Sequence, residues 1–177
     1  MTPPTNKRPP LFEIGAAMLY KNETDRFPVR KHPRLKDFNY KSYNYYFITL
    51  CTYDKVCLFG SPLMLSDMGE IAKNCLLKIP KHFPGTVVDK YVVMPNHIHG
   101  IVVLPGNTVE LATVVGQYKA AVTKTIHKVC PNIRVWQTSF HDHIIRNQTD
   151  YERIWSYIET NPARWIDDCF YTPQAGQ

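Results

Sequence analysis

The chain has 177 residues, 44% of them hydrophobic and 20% charged, which suits one domain with a real core and would cramp two. No apolar run reaches the ~18–20 residues of a membrane span, and the start MTPPTNKRPP has no apolar signal region, so a cytoplasmic protein is expected rather than a membrane or secreted one. The net charge of +6 is uneven: residues 1–41 hold nine of the 21 Lys/Arg and four of the 15 Asp/Glu, leaving twelve against eleven for the rest.

In chain order, residues 1–33 read as a basic arm whose proline-rich first ten residues are expected to be disordered. Such arms contact phosphate backbones or are simply solvated tails. NYYFITLCT (44–52), rich in aromatic and β-branched residues, predicts a strand. A helix follows with Ser66 as N-cap, Asp67 and Glu70 in its first turn, and an end at Pro80. Runs 86–94 and 97–104, joined by Pro95-Asn96, predict a hairpin. A helix over 109–130 carries Leu111, Val114, Val115, Tyr118, Val122, Ile126 and Val129 on one face. Residues 133–147 read as a strand with an irregular approach. The last helix opens on a capping box, Thr149-x-x-Glu152, and runs to Asn161, where Pro162 disfavours continuation. The order β, α, β-β, α, β, α predicts an α+β fold, a ferredoxin-like or RRM-like antiparallel sheet with helices packed on one face. The open face of such a sheet is a platform for single strands. Five cysteines, an odd number without a CxxC pair, read as reduced thiols.

The chemistry concentrates in PNHIHG. Strand alternation puts His97 and His99 on one face. They read either as two hydrogen-bonded histidines at a sheet edge or as ligands of a divalent ion such as Mn²⁺ or Mg²⁺. Gly100 adds little side-chain bulk beside them, which favours access. A third alternating His, a HxE…PCxxC set and a HExxH helix are all missing, so any metal site must be completed by residues distant in sequence.

In the last helix, Tyr151, Ile154, Trp155 and Ile158 make the buried stripe. Tyr157 falls ~60° beyond its edge, with Asn161 stacked four residues on. Tyr157 is a rim residue or, beside a metal-bound phosphodiester, a nucleophile; its free pKa of ~10 calls for a cation. Asn161 has a carbonyl oxygen to offer the ion. His141 and His143 read as strand-end polar residues, or as aids to strand positioning or proton transfer. Tyr118 reads as core. Lys119, Lys124 and Arg153 read as solvated helix residues or phosphate contacts.

Five segments occur together in this order: RLKDFNYKSYNYYFITLCTYDKVCLFG, VVMPNHIHGIVV, VVGQYKAAVT, VWQTSFHDHIIRN and YIETNPARW. The set resembles the REP-associated tyrosine transposases, a branch of the single-tyrosine HUH transposases, over residues 34–170. The resemblance implies one transposase domain over 34–177 that binds Mg²⁺ or Mn²⁺ through His97, His99 and Asn161, where mobile relatives carry Gln in place of Asn161. It implies Tyr157 as the nucleophile on single-stranded hairpin DNA from palindromes, forming a 5′-phosphotyrosine link. Arg30, Lys31, Arg34 and Lys36 would hold the hairpin, and the active unit would be a monomer or homodimer. Two rivals stay open: a catalytically silent single-strand-binding regulator of the same fold, and a metal-dependent small-molecule hydrolase.

Overall fold

The computed structural model describes residues 44–106 and 109–171; the arm, with Arg30, Lys31, Arg34 and Lys36, lies outside the described residues. The elements are β1 (Asn44–Cys51), α1 (Asp67–Leu77), the one-turn α2 (Ile79–His82), β2 (Val87–Met94), β3 (His97–Leu104), α3 (Leu111–Ile126), β4 (His141–Ile145) and α4 (Gln148–Thr160). All strand pairs are antiparallel, in the order β2-β3-β1-β4. With this chain order the arrangement is the expected ferredoxin-like sheet.

Alternation along β1 and β3 divides the molecule. Tyr46, Ile48 and Leu50 of β1 and Ile98, Val102 and Leu104 of β3 face one side, where Ala72 and Leu76 of α1 and Leu111 through Ile126 of α3 cover them. Each such aliphatic side chain contributes about 1.5–3 kcal/mol on burial. On the other side, Phe47, Ile101 and Ile145 meet Tyr151, Ile154 and Ile158 of α4. The expected single helical face therefore holds for α1 and α3, and α4 adds a helix on the opposite side.

Several local expectations change. Gly100 belongs by alternation to the α1/α3 side, beside Ile48 and Tyr91, so it opens nothing next to the histidines. β3 is an interior strand, not an edge. α4 is capped by Asn147, whose side chain accepts from the Asp150 N–H at 2.8 Å. This good capping residue two positions ahead of Thr149 starts the helix earlier. Trp155 is 37% exposed, and its ring takes the Lys90 ammonium at 3.8 Å from the centroid. Val129 is 72% exposed because α3 stops at Ile126. Pro80 falls in the first turn of α2, where its missing N–H costs nothing, and α1 has already ended at Leu77.

Candidate functional site

His97 and His99 project from β3 beneath α4, both fully buried, with ring centroids 4.4 Å apart. Neighbours on the sheet set each ring. Asn96, in the hairpin turn, donates its amide N–H groups to the carbonyls of Lys55 (3.1 Å) and Phe170 (2.8 Å). Its Oδ1 therefore faces His97 Nδ1 at 2.9 Å, so His97 donates from Nδ1 and keeps its lone pair on Nε2. Across the ladder, Thr49 Oγ1 lies 2.9 Å from His99 Nδ1, leaving His99 Nε2 aimed into the site. His97 Nε2 is buried with no hydrogen-bond partner among the described residues. Burial, with the Lys55 ammonium adding to it, lowers the His97 pKa to about 3. Burial and then His97 itself push His99 down as well. Both imidazoles are thus neutral near pH 7, the form that ligates metals.

α4 lays Tyr157 over the pair. The phenol packs edge-on to Phe47, ring centroids 6.1 Å apart, and its hydroxyl lies 3.2 Å from His99 Nε2. Burial raises the Tyr157 pKa, and the Asp168 charge raises it further, so the unassisted group is a phenol at neutral pH. Asn161 closes α4, buried, with its Nδ2 donating to Asp168 Oδ2 at 2.8 Å and its Oδ1 lacking a partner among the described residues. The 3₁₀ turn Asn161–Asp167 then carries the chain back over the site. Asp168 Oδ1 accepts the Phe170 N–H at 2.7 Å, which fixes the carboxylate from a second side.

Ligand atoms of His97, His99 and Asp168 lie within 4.8 Å of one another. Two neutral imidazoles, the Asp168 carboxylate and the Asn161 amide oxygen make a donor set that fits a divalent cation, and among the described residues His97 Nε2 and Asn161 Oδ1 are buried without partners. Sequence reading missed Asp168, Asn96 and Thr49. Asn96 stood in the motif but was read only as a turn residue; Thr49 and Asp168 carry no local signal.

The remaining candidates lie apart from this group. His141 and His143 share its face of the sheet, opposite Thr49 and Phe47 in the register, and His141 is exposed. His143 Nε2 meets Asp150 Oδ2 at 2.7 Å, and Arg153 meets Asp150 Oδ1 at 2.7 Å, a clip between β4 and the start of α4. Lys119 donates to the Gln137 carbonyl at 2.5 Å, and its own carbonyl accepts from Trp136 Nε1, pinning the approach to β4. Lys124 is exposed on α3. Tyr118 is core, its hydroxyl donating to the Ala72 carbonyl at 3.1 Å.

Known proteins resemble this chain in sequence or in fold. A Haemophilus influenzae protein of unassigned function is 35% identical over 167 residues, spanning 80% of this chain and 93% of its own. An Escherichia coli K12 REP-associated tyrosine transposase is 27% identical over 105 residues, spanning 58% of this chain and 61% of its own. The solved structure of a REP-associated tyrosine transposase bound to a REP hairpin shares the fold, with a TM-score of 0.59, 23% identity, and 75% of this chain and 74% of that one covered. The family model for IS200-like transposases matches residues 39–161, a stretch that takes in both histidines, Tyr157 and Asn161. The chain therefore belongs to the IS200-like transposase family.

Proposed function

We propose that the protein is a metal-dependent endonuclease and strand transferase for single-stranded, hairpin-forming palindromic DNA, working in the cytoplasm through a 5′-phosphotyrosine link. The observation that carries this reading is the Tyr157 hydroxyl at 3.2 Å from His99 Nε2, at the edge of the His97, His99 and Asp168 group. The hairpin substrate is supported by the relative solved with a REP hairpin.

His97, His99 and Asp168 would hold the ion, with Asn161 Oδ1 as a further oxygen. Bound there, Mg²⁺ or Mn²⁺ would neutralise the scissile phosphate and make its phosphorus more electrophilic. Tyr157 Oη forms a bond to that phosphorus as the bond to the 3′-oxygen breaks, which leaves a 5′-phosphotyrosine and a free 3′-hydroxyl once that oxygen takes a proton. The phenolic proton passes to solvent as the bond to phosphorus forms, and the bound cation would offset the Asp168 charge that otherwise disfavours a phenolate. Attack by another 3′-hydroxyl reverses the step and rejoins strands, so no external energy is needed. Asn96 and Thr49 act as positioning residues that keep both Nε2 atoms aimed at one point. His141, exposed on the same face, would meet the departing strand. Lys124 and Arg153 lie on exposed helix surface where a hairpin stem can contact them.

The test incubates the protein with labelled single-stranded hairpins taken from the DNA flanking its gene, with Mn²⁺, and looks for a covalent protein–DNA band on a denaturing gel. Wild type should give the band, and Tyr157→Phe and His97→Ala should both abolish it. A band surviving in Tyr157→Phe would make another residue the nucleophile. Binding without any band in wild type would favour the silent regulator.

A further inference from the structure

His97 and His99 are fully buried. A catalytic metal site needs one coordination position that the substrate can reach, because the scissile phosphate has to touch the ion. Side chains close that position here. Tyr157 lies against His99, ring centroids 5.1 Å apart, and as the nucleophile it has to stay there. The rest of the cover comes from the segment after α4. Phe170 sets its ring 4.7 Å from the His97 ring and 5.9 Å from the His99 ring, and Trp165 sets its ring 6.0 Å from His97. Neither aromatic belongs to an apolar cluster, and Phe170 is itself only half-buried. Past the 3₁₀ turn the segment is neither helix nor strand. Backbone bonds hold it: the Phe170 carbonyl accepts from Asn96 Nδ2 at 2.8 Å, and the Phe170 N–H donates to Asp168 Oδ1 at 2.7 Å. An aromatic ring laid on two imidazoles, outside the core, is a cover that can leave without unfolding the domain.

We propose that Cys169–Tyr171 is an autoinhibitory strap: Phe170 lies on the imidazoles in the resting protein and swings off them, about a hinge at Asp168, before a phosphodiester reaches the ion. The inference rests on the nuclease reading above. A hinge at Asp168 leaves the donor set in place. Asp168 Oδ2 keeps its bond from Asn161 Nδ2, while departure of the Phe170 N–H releases Oδ1. One movement therefore uncovers the histidines and frees a carboxylate oxygen beside them. The strap also lies beyond Asn161, where the family match ends, so lifting it disturbs none of the matched residues.

The test reads access to the histidines directly. Diethyl pyrocarbonate acylates the neutral imidazoles that it can reach, and both site histidines are neutral near pH 7. On the full chain, without metal or DNA, peptide mass spectrometry should find His97 and His99 modified about three- to tenfold faster in Phe170→Ala than in wild type, the shift expected when a closed state loses one ring contact. Exposed His141 is the internal reference and should not change. Phe170→Tyr keeps the ring and should match wild type. Phe170→Leu, apolar but without a flat ring, is the second opening variant should alanine lower the melting temperature. With hairpin and Mn²⁺, the covalent band should form faster in the opened variants by a similar factor. Unchanged histidine modification in folded Ala and Leu variants, or a band that forms no faster, would overturn the strap while leaving the nuclease reading intact. No band in wild type or in any opened variant would bring down both.

Discussion

The two faces of the sheet are built from the same two strands and are opposite in character. The α1/α3 side is a continuous apolar cluster of twenty buried residues; the α4 side has six, set around buried Thr49, His97, His99 and Asn161. A buried polar atom without a partner costs about 1–3 kcal/mol. His97 Nε2 and Asn161 Oδ1 are both in that position, and the larger cluster behind them offsets the cost. Alternation is what makes this division possible, since every second residue of β1 and β3 belongs to stability and the residue between them to the site.

Neighbouring substitutions break the comparison most directly. Leu50→Ala should cost about 2–5 kcal/mol of unfolding free energy, because the side chain is fully buried in the larger cluster. Thr49→Val, one residue away on the other side, should cost less, about 1–3 kcal/mol, because it leaves His99 Nδ1 buried without its hydroxyl partner. The effects on chemistry should invert: Thr49→Val loses most of the covalent DNA band, and Leu50→Ala keeps it at temperatures where the protein stays folded. Urea titrations beside the band assay would show this, and equal stability losses at both positions would refute the division.

Metal should act on one face alone. An ion bound to the folded site at 100 times its Kd stabilises by about 2.7 kcal/mol. Thermal melts with Mn²⁺ should therefore shift upward in wild type, not at all in His97→Ala, and by an intermediate amount in Asp168→Asn or Asn161→Ala. The ranking of the last two decides which oxygen carries more of the ion. If Asn161→Ala responds like wild type while Asp168→Asn does not, the carboxylate is the ligand and Asn161 serves to orient it.

The parts of this division that were legible in the sequence are those with a period. Two-residue alternation put His97 and His99 on one face, and the 3.6-residue period set Tyr157 off the stripe of Ile154 and Ile158, where the structure has it half-buried over His99. Contacts between distant segments left no such trace. Thr49 looks like any strand threonine until β1 pairs with β3, fifty residues on. Asp168 lies past a proline and in no helix or strand, so only the fold shows that the chain doubles back over His97. Trp155 misled for a different reason: it sits at helical spacing with the buried stripe, yet the Lys90 ammonium covers its ring and leaves it at the surface.

The smallest expected effect concerns how α4 is held on the site face. Asp150 joins β4 to the first turn of α4 through His143 and Arg153. Burial alone would raise its pKa, but the hydrogen bonds from His143 and Arg153 outweigh burial and bring it to about 2. A carboxyl with a depressed folded pKa adds stability that is fully present above its unfolded value of ~3.9 and disappears as pH falls through the folded one. Asp150→Asn should therefore cost ~1–2 kcal/mol at pH 7, and the gap to wild type should close between about pH 4 and pH 2. Urea titrations at several pH values measure that gap. A gap that stays constant down to pH 2 would mean the clip contributes nothing through its charge. Hydrogen exchange should localise the loosening to α4, the element that carries Tyr157, and leave Leu50 and Ile98 protected, since their face does not touch the clip.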